Sequence, residues 1–420
     1  MKRFICILLA IVSLASFCAC DKNSDSLSKD YSRNKEIPVY DFLSGEAQVP
    51  EDYEEYTKGT TEFSFDLLSA VAHTDDNVVV SPLSVATALS MLANGASSAT
   101  RKELRNVLAQ GADLEAINSG NYYLNCRLTA FNNDKSKFTS ANSLWLNDSF
   151  AVKPAFLQTA VNYYDADIQR VLFSEEKSVD KINKWVADKT DKEITAVLEK
   201  LSDSEMAVLI NAVLFDDEWA TPYEESQLKD GTFHGTKGDT TAKFMNSTEL
   251  YLETSYAKGI TKGFANLPLK FAAILPAEDV DMKTFAEGFS EVRWQGVLGS
   301  QQITQTCKAA IPEFEIRSTF DFTDYLKALG IRQAFESAKA DFTNLTNTDD
   351  FYVSEVAQQA VVKINSKGVK AAAATTIKGN GAAAPSEEEK ELNFDRPFMF
   401  VIYDNESGTP VFAGIVNNIE

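Results

Sequence analysis

The sequence of 420 residues predicts an α+β fold, with helices in the first part of the chain and strands in the second. Apolar residues between 63 and 71 repeat at helical spacing, which indicates an amphipathic helix. After about Ser204, short apolar runs such as 271–275 and 361–364 are typical of strands. Because the two patterns are separated along the chain rather than alternating, an α+β domain is favoured. Apolar residues make up 44% of the chain, which is enough for a sizeable core.

The first twenty residues predict a targeting segment, 1–20. Lys2 and Arg3 give it a positive start, and the apolar run 4–17 is shorter than the roughly 20 residues that a spanning helix needs. The run ends at Cys20, before a polar stretch, and resembles a bacterial lipobox, in which this cysteine becomes the acylated first residue. Ordinary secretion with cleavage nearby is the alternative. Lipidation predicts an exported lipoprotein of the cell envelope, on the outer membrane or cell surface, with release outside the cell as a further outcome.

Residues 21–56 are polar and acidic and show little periodicity. This composition predicts a flexible tether between the targeting segment and a folded domain over 57–420. The membrane is then contacted through the N-terminal lipid only.

Two helix starts follow in the folded domain. Ser81 and Pro82 place a capping hydroxyl before a proline at the first helical position, and Gly95 closes that helix. Thr100 with Glu103 three residues later predicts a capping box for the next helix. Further strands are predicted at 78–80, 208–210, 213–215 and in a hairpin formed by 398–403 and 411–416.

The charge and the motifs exclude several classes of function. A net charge of −21 excludes a basic surface for nucleic acid. No nucleophile-elbow, zinc-protease or P-loop motif occurs, and the two histidines, His73 and His234, are predicted to be surface or turn residues. Acidic pairs such as Asp216 with Asp217 are interpreted as a solvated face. We therefore expect no catalytic residues, no metal site and no cofactor.

Three of the five cysteines lie in the targeting segment, which leaves Cys126 and Cys307. A disulfide between them is one interpretation, since the chain is exported. Two buried free thiols are the favoured alternative.

The segment 366–391 differs from the rest of the chain. At a period of two, Val369, Ala371, Ala373 and Thr375 share one face, so the segment is able to become a strand. The residues that follow it, 379–386, are rich in glycine and alanine and predict an open loop. A linker or an alanine helix is the alternative, but an apolar hairpin that must join the core comes after it. Long loops of this kind are usually functional.

At this point the sequence resembles the serpin family over about Thr60 to Asn418. The resemblance is carried by five motifs in the family's order: NVVVSPLSVATALSML at 77–92, NAVLF at 211–215 with Trp219 and Pro222, ADFT at 340–343 with VSEV at 353–356, Gly368 with the alanine run 371–374, and NFDRPF at 393–398 with the final hairpin. It implies the serpin fold, with helices packed around a large mixed main sheet plus smaller sheets and an exposed reactive-centre loop at about 366–391. It also implies a monomer.

The resemblance implies a suicide-substrate inhibitor rather than an enzyme. The target protease cleaves the loop, is trapped as a covalent acyl-enzyme, and the loop's hinge inserts as a new strand of the main sheet. The hinge residues implied are Gly368, Val369, Lys370, Ala371, Ala372, Ala373, Ala374 and Thr375. Counted from Gly368 the reactive bond joins Ala382 and Ala383, whereas counted back from Phe394 it falls near Ser386. Small residues at both places imply an elastase-like serine protease or a papain-like cysteine protease as the target.

The resemblance also assigns supporting residues. Ser81, Ser84 and Asn211 match the family's shutter, the network at which the main sheet opens, and Gln358 stands where the family has histidine. Trp219 matches the breach, the point where the loop enters the sheet. Val369 departs from the small hydroxyl residue usual at its position, so a non-inhibitory serpin that acts as a binding or carrier protein is the alternative.

Overall fold

The computed structural model describes residues 26–148, 150–302, 305–369 and 390–419. Within these residues, nine α-helices and two 3-10 turns surround two β-sheets. The helices are α1 (Tyr53–Val71), α2 (Pro82–Gly95), α3 (Ser98–Ala109), α4 (Leu114–Thr129), α5 (Pro154–Tyr164), α6 (Glu176–Lys189), α7 (Met282–Glu287), α8 (Glu291–Gly299) and α9 (Thr323–Leu329). The α+β prediction is confirmed.

The strands fall mostly in the second half of the chain, as predicted. They are β1 (Val78–Val80), β2 (Lys137–Asn147), β3 (Asp167–Val171), β4 (Ala207–Glu218), β5 (Leu228–Gly235), β6 (Gly238–Glu253), β7 (Ala257–Gly263), β8 (Leu269–Pro276), β9 (Thr306–Pro312), β10 (Phe314–Asp321), β11 (Glu355–Ile364), β12 (Gly368–Val369), β13 (Lys390–Asn393), β14 (Phe398–Asp404) and β15 (Pro410–Val416). The two runs predicted at 208–210 and 213–215 form the single strand β4.

The main sheet has six strands in the order β10-β11-β12-β4-β2-β3. It is mixed, since β4 pairs in parallel with β11 and antiparallel with β2, while β2 and β3 run in parallel. The predicted mixed main sheet is therefore present.

The second sheet joins the remaining strands in the order β1-β15-β14-β8-β7-β6-β9-β13, with β5 paired to β6. Every residue of β14 and β15 is buried, so the predicted C-terminal hairpin is confirmed as part of the core. Strand β1 pairs with β15, which brings the start and the end of the domain together.

The helix starts are partly as predicted. Helix α2 begins at Pro82 after Ser81 and ends at Gly95. The predicted capping box at Thr100 and Glu103 is wrong, because α3 begins earlier, at Ser98. Instead, the Thr100 hydroxyl accepts the amide of Asp341, and the Glu103 carboxylate accepts the amides of residues 332 and 333. These two side chains therefore bind a distant segment rather than the start of their own helix.

The segment predicted as a flexible tether lies against the domain from Ser26 onward, so that prediction is corrected for these residues. Ser26 forms a bridge to Gln169 at the edge of the main sheet, and the amide of Leu27 donates to Ile168 at 2.7 Å. Further along, the Arg33 guanidinium lies 4.7 Å from the centre of the Tyr122 ring. A polar composition does not show which contacts a segment makes. Here the segment is held by backbone pairing to an edge strand and by a cation over an aromatic ring.

A second part of this segment packs through aromatic side chains. The Tyr40 ring meets the edge of Tyr123 with centroids 4.9 Å apart, and Phe42 contacts the same ring at 5.1 Å. We call residues 26–42 the N-terminal strap. It runs from the edge of β3 to helix α4.

Both cysteines outside the targeting segment are free thiols, so the disulfide alternative is wrong. Cys307 is buried, as predicted, but Cys126 is only partly buried. His73 and His234 have half-exposed side chains, as predicted for surface residues. No helix within the described residues is long and apolar enough to cross a membrane.

Candidate functional site

The candidate site is the place where two strands of the main sheet separate. Strands β11 and β4 pair directly over 355–359 and 208–212. Beyond this closed part they diverge, and β12 lies between them: Val369 pairs with Ile364 on one side and with Asp217 on the other. The main sheet therefore has room for another strand, and the first two residues of that strand are already in it.

A tight turn connects β11 to β12. The amide of Asn365 donates to the carbonyl oxygen of Gly368 at 3.1 Å, and the amide of Gly368 donates back to Asn365 at 3.2 Å. This exchange of hydrogen bonds is the pattern of a two-residue β-hairpin loop, formed by Ser366 and Lys367. The beginning of the loop segment 366–391 is thus a formed hairpin. We call residues 365–368 the hinge turn.

Three successive carbonyl groups of the hinge turn are held by the segment after β4. The indole of Trp219 donates to Asn365, the amide of Tyr223 to Ser366, and the amide of Trp219 to Lys367, each at 2.8 Å. Trp219 is 1% exposed and stacks on Phe264 with ring centroids 4.8 Å apart. The residue assigned to the breach therefore does lie at the point where the loop enters the sheet.

Gly368 and Val369 both fit closely between the neighbouring strands of the main sheet. A Cβ atom on Gly368 would lie 2.2 Å from the carbonyl oxygen of Asp217, so only glycine fits. Val369 is 2% exposed and packs in the same core cluster as Trp219 and Phe215.

The other predicted loop residues lie outside the described part of the chain. These are the hinge residues Lys370, Ala371, Ala372, Ala373, Ala374 and Thr375, the reactive-bond residues Ala382, Ala383 and Ser386, and the lipidation residue Cys20.

Asp217 was missed by sequence reasoning, and the solvated-face interpretation is wrong for it. Its carboxylate is fully buried and accepts five hydrogen bonds, two from the backbone amides of Asn266 and Leu267. The others come from the Ser136 hydroxyl, the Asn266 side chain and the amide of Glu218. These contacts fix the end of β4 where Val369 pairs. A local acidic pattern carries no signal for partners that are about 50 to 80 residues away.

Three of the residues matched to the shutter, Ser81, Ser84 and Gln358, are joined by hydrogen bonds. The Gln358 side chain accepts the amide of Ser81 at 2.9 Å, donates to the Ser81 carbonyl at 3.0 Å, and donates to the Ser84 hydroxyl at 3.3 Å. The Ser81 hydroxyl donates to the carbonyl oxygen of Val411 in β15. Glutamine, with both a donor and an acceptor, thus links the main sheet to helix α2 and the second sheet.

Asn211 belongs to the shutter in a different way. The Asn211 side-chain nitrogen donates to the side-chain oxygen of Asn142 in β2 at 2.7 Å. Sequence reasoning missed Asn142. The Asn211 side-chain oxygen is buried and has no hydrogen-bond partner. Gln358 lies beside Asn211 in the register of the sheet but binds Ser81 and Ser84 instead.

Glu355 lies at the first residue of β11, where the closed part of the sheet begins. Burial, reinforced by the nearby carboxylates of Asp321 and Glu205, raises its pKa to about 7. Near neutral pH this carboxyl group is therefore only partly ionised.

Comparison with known proteins identifies the family. A family model described as Serpin (serine protease inhibitor) matches residues 58–419. An uncharacterized serpin-like protein of Thermococcus kodakarensis is 27% identical over 94% of this chain and 92% of its own length. A serine protease inhibitor of Cyanea capillata is 29% identical over 82% of this chain and 93% of its own.

Solved structures agree with the fold. The thermophilic serpin tengpin in its native state superposes with a TM-score of 0.84 at 32% identity, covering 94% of this chain and 99% of tengpin. For tengpin in its latent state the TM-score is 0.76 at 31% identity, covering 89% of this chain and 100% of that one. With a family model spanning most of its length and a main sheet that accepts the start of its own loop, this chain belongs to the serpin family.

Proposed function

We propose that this serpin inhibits endopeptidases by the loop-insertion mechanism. The observation that carries the proposal is the position of Val369. This residue pairs with β11 on one side and β4 on the other, at the start of a new strand between them. The closed pairing below it, over 355–359 and 208–212, is the part of the sheet that further insertion would have to open.

The covalent step involves the loop and the protease only. The nucleophilic oxygen or sulfur of the protease attacks the carbonyl carbon of Ala382, and the amide bond to Ala383 breaks. The new amine of Ala383 leaves with a proton from the protease's general acid, and Ala382 stays bound as an ester or thioester. Cleavage near Ser386 is the second register. Small side chains in both registers support an elastase-like serine protease or a papain-like cysteine protease as the target.

Insertion would then follow the hinge turn. Alanines at 371–374 have small side chains, which enter a close-packed sheet with little misfit and lose no rotamer freedom. The β-branched side chain of Val369 is no obstacle in the described structure, since it is already buried in the core.

The first test is incubation with an elastase-type and a papain-type protease, followed by a denaturing gel and mass spectrometry of the cleaved loop. We expect a covalent complex and a cleaved bond at 382–383 or near 386. Cleavage without any complex would favour the carrier alternative. A rise in melting temperature after cleavage is a second expected result, because insertion adds a strand to the sheet.

Two arginine substitutions form a matched pair. Ala373 shares the period-two face of the buried Val369, and Ala372 lies on the other face. Ala373→Arg should be cleaved without forming a complex, because a charge would have to enter the core. Ala372→Arg should still form one. Equal behaviour of the two variants would contradict strand insertion.

We also propose that Cys20 carries a lipid that anchors the protein to the cell envelope. The support is the positive start, the apolar run and the cysteine that ends it. Cys20→Ser should release the protein into the medium, and its retention on cells would contradict the proposal.

A further inference from the structure

A buried ion pair lies beneath the breach. Lys262 is in β7 and Glu249 is in the neighbouring strand β6, with the ammonium nitrogen 2.5 Å from the carboxylate oxygen. The two side chains are 6% and 10% exposed. A buried pair of this kind adds little net stability compared with an apolar pair, since both charges must be desolvated. Its position therefore matters more than its strength.

The Lys262 ammonium also faces two aromatic rings. It lies 4.5 Å from the centre of the Tyr223 ring and 5.7 Å from that of Trp219. Attraction between a cation and an aromatic face is stronger where water is excluded, as it is here. The Ser247 hydroxyl donates to Glu249 at 2.6 Å and lies 3.3 Å from the Tyr223 hydroxyl, so the carboxylate and the ring share a neighbour.

These two rings belong to the residues that hold the hinge turn. Trp219 and Tyr223 supply the three hydrogen bonds that the segment after β4 makes to the carbonyl groups of Asn365, Ser366 and Lys367. Lys262 is thus connected to the hinge turn through a single layer of side chains.

We propose that Lys262, paired with Glu249, is a positioning residue that keeps the hinge turn formed in the uncleaved protein. Insertion then starts from an existing hairpin. The entropy cost of closing that turn has therefore been met before cleavage. Because a trapped protease is released by hydrolysis unless insertion is fast, a formed turn favours inhibition over simple cleavage of the loop. The effect on inhibition rests on the proposed function, whereas the effect on the turn does not.

The test is the double variant Lys262→Met with Glu249→Gln, which removes both charges and leaves neither unpaired. Hydrogen exchange of peptides spanning 360–369, measured by mass spectrometry on the uncleaved protein, reports on the turn. We expect the Gly368 and Val369 amides to exchange about tenfold faster than in the wild type. The number of inhibitor molecules consumed per protease molecule should rise at least about twofold.

A control removes a more exposed ion pair, also beside a tryptophan ring, away from the hinge turn. Lys189 pairs with Asp167 at 3.3 Å and lies 5.6 Å from the Trp185 ring. Lys189→Met with Asp167→Asn should leave both measurements at the wild-type level. If the Lys262 variant does not fold, Tyr223→Leu removes the nearer ring while keeping the backbone hydrogen bond to Ser366, and the same faster exchange is expected.

Unchanged exchange at Gly368 and Val369 in these variants would overturn the proposal. If the wild type forms no complex with either protease class, the inhibitory function fails, but the exchange measurement still decides the role of Lys262. If exchange is faster and the consumption ratio is unchanged, the turn is held by Lys262 but does not control inhibition, which overturns the second half of the proposal.

Discussion

The indole N–H of Trp219 donates a 2.8 Å hydrogen bond to the carbonyl oxygen of Asn365, at the start of the hinge turn. The same tryptophan holds Lys367 through its backbone amide. One residue of the segment after β4 therefore binds the hinge turn at two points.

Replacement of Trp219 by phenylalanine should loosen this turn. The variant keeps an aromatic ring against Phe264 but loses the indole donor, and the loss of one such hydrogen bond costs about 0.5–1.5 kcal/mol. We expect a lower midpoint in urea denaturation. Trp185→Phe is the control, because the Trp185 indole binds the partly exposed Asp167, and its midpoint should change less.

Gly368→Ala should expel β12 from the main sheet. The added methyl group would lie 2.2 Å from the Asp217 carbonyl oxygen, and relief of such a clash costs about 1–3 kcal/mol. We expect a lower melting temperature and faster amide exchange at Val369. Gly299→Ala is the control, since nothing lies within 4 Å of its Cβ position. A Gly368 variant that melts like this control would show that β12 is not packed as described.

Gln358→Leu should weaken the shutter. The change leaves the buried amide of Ser81 without its partner, which costs about 1–3 kcal/mol, while the Ser81 carbonyl keeps its hydrogen bond from the Val85 amide. The next residue provides the control: Gln359 donates to Thr319 at an exposed site, so Gln359→Leu should cost less than about 1 kcal/mol. Similar denaturation midpoints for the two variants would contradict the assigned role of Gln358.

Glu355 predicts a pH dependence of stability. Its pKa is about 7 in the folded chain, above that of an unfolded glutamate, so the folded state binds this proton more tightly. Its contribution is full below about pH 4.5 and is lost as the pH rises through 7. Glu355→Gln should thus be more stable than the wild type at pH 8, by about 1–3 kcal/mol, and equal to it near pH 4.5. Melting curves across this range test the sign, and a larger difference at acidic pH would refute it.

Glu315→Gln is a suitable control for the pH experiment. Glu315 lies in the adjacent strand β10 and forms an exposed ion pair with Lys363. Exposed pairs contribute about 0–1 kcal/mol, so this variant should follow the wild-type curve closely at pH 8.

Local sequence patterns predicted most of the fold and part of the site. Periodicity located α1, α2 and the C-terminal hairpin because one face of each element is apolar, and this is visible in a short window. The resemblance to serpins assigned Ser81 and Gln358 to the shutter and Trp219 to the breach, and these assignments stay predictions. The parts that were predicted wrongly depend on contacts between distant positions.

Asp217 and Lys262 illustrate this limit. Each looks like an ordinary surface charge in the sequence, and each is buried because partners from other strands satisfy it. Thr100 and Glu103 have the spacing of a capping box, yet bind residues more than 220 positions away. A local pattern predicts what a side chain is able to do, whereas the fold decides which partner it meets.

The N-terminal strap sets where an acylated Cys20 would lie on the domain. Ser26 follows Cys20 by six residues, so the two are at most about 20 Å apart. Ser26 pairs with Gln169, level with Trp145 and Val208, whereas the hinge turn lies beside Asp217, nine residues or about 30 Å further along β4. The hinge turn and the attachment of the strap thus lie toward opposite ends of β4. If the proposed lipid and the proposed insertion both hold, a trapped protease moves toward the bilayer, and the distance from Cys20 to Ser26 limits the space left for it.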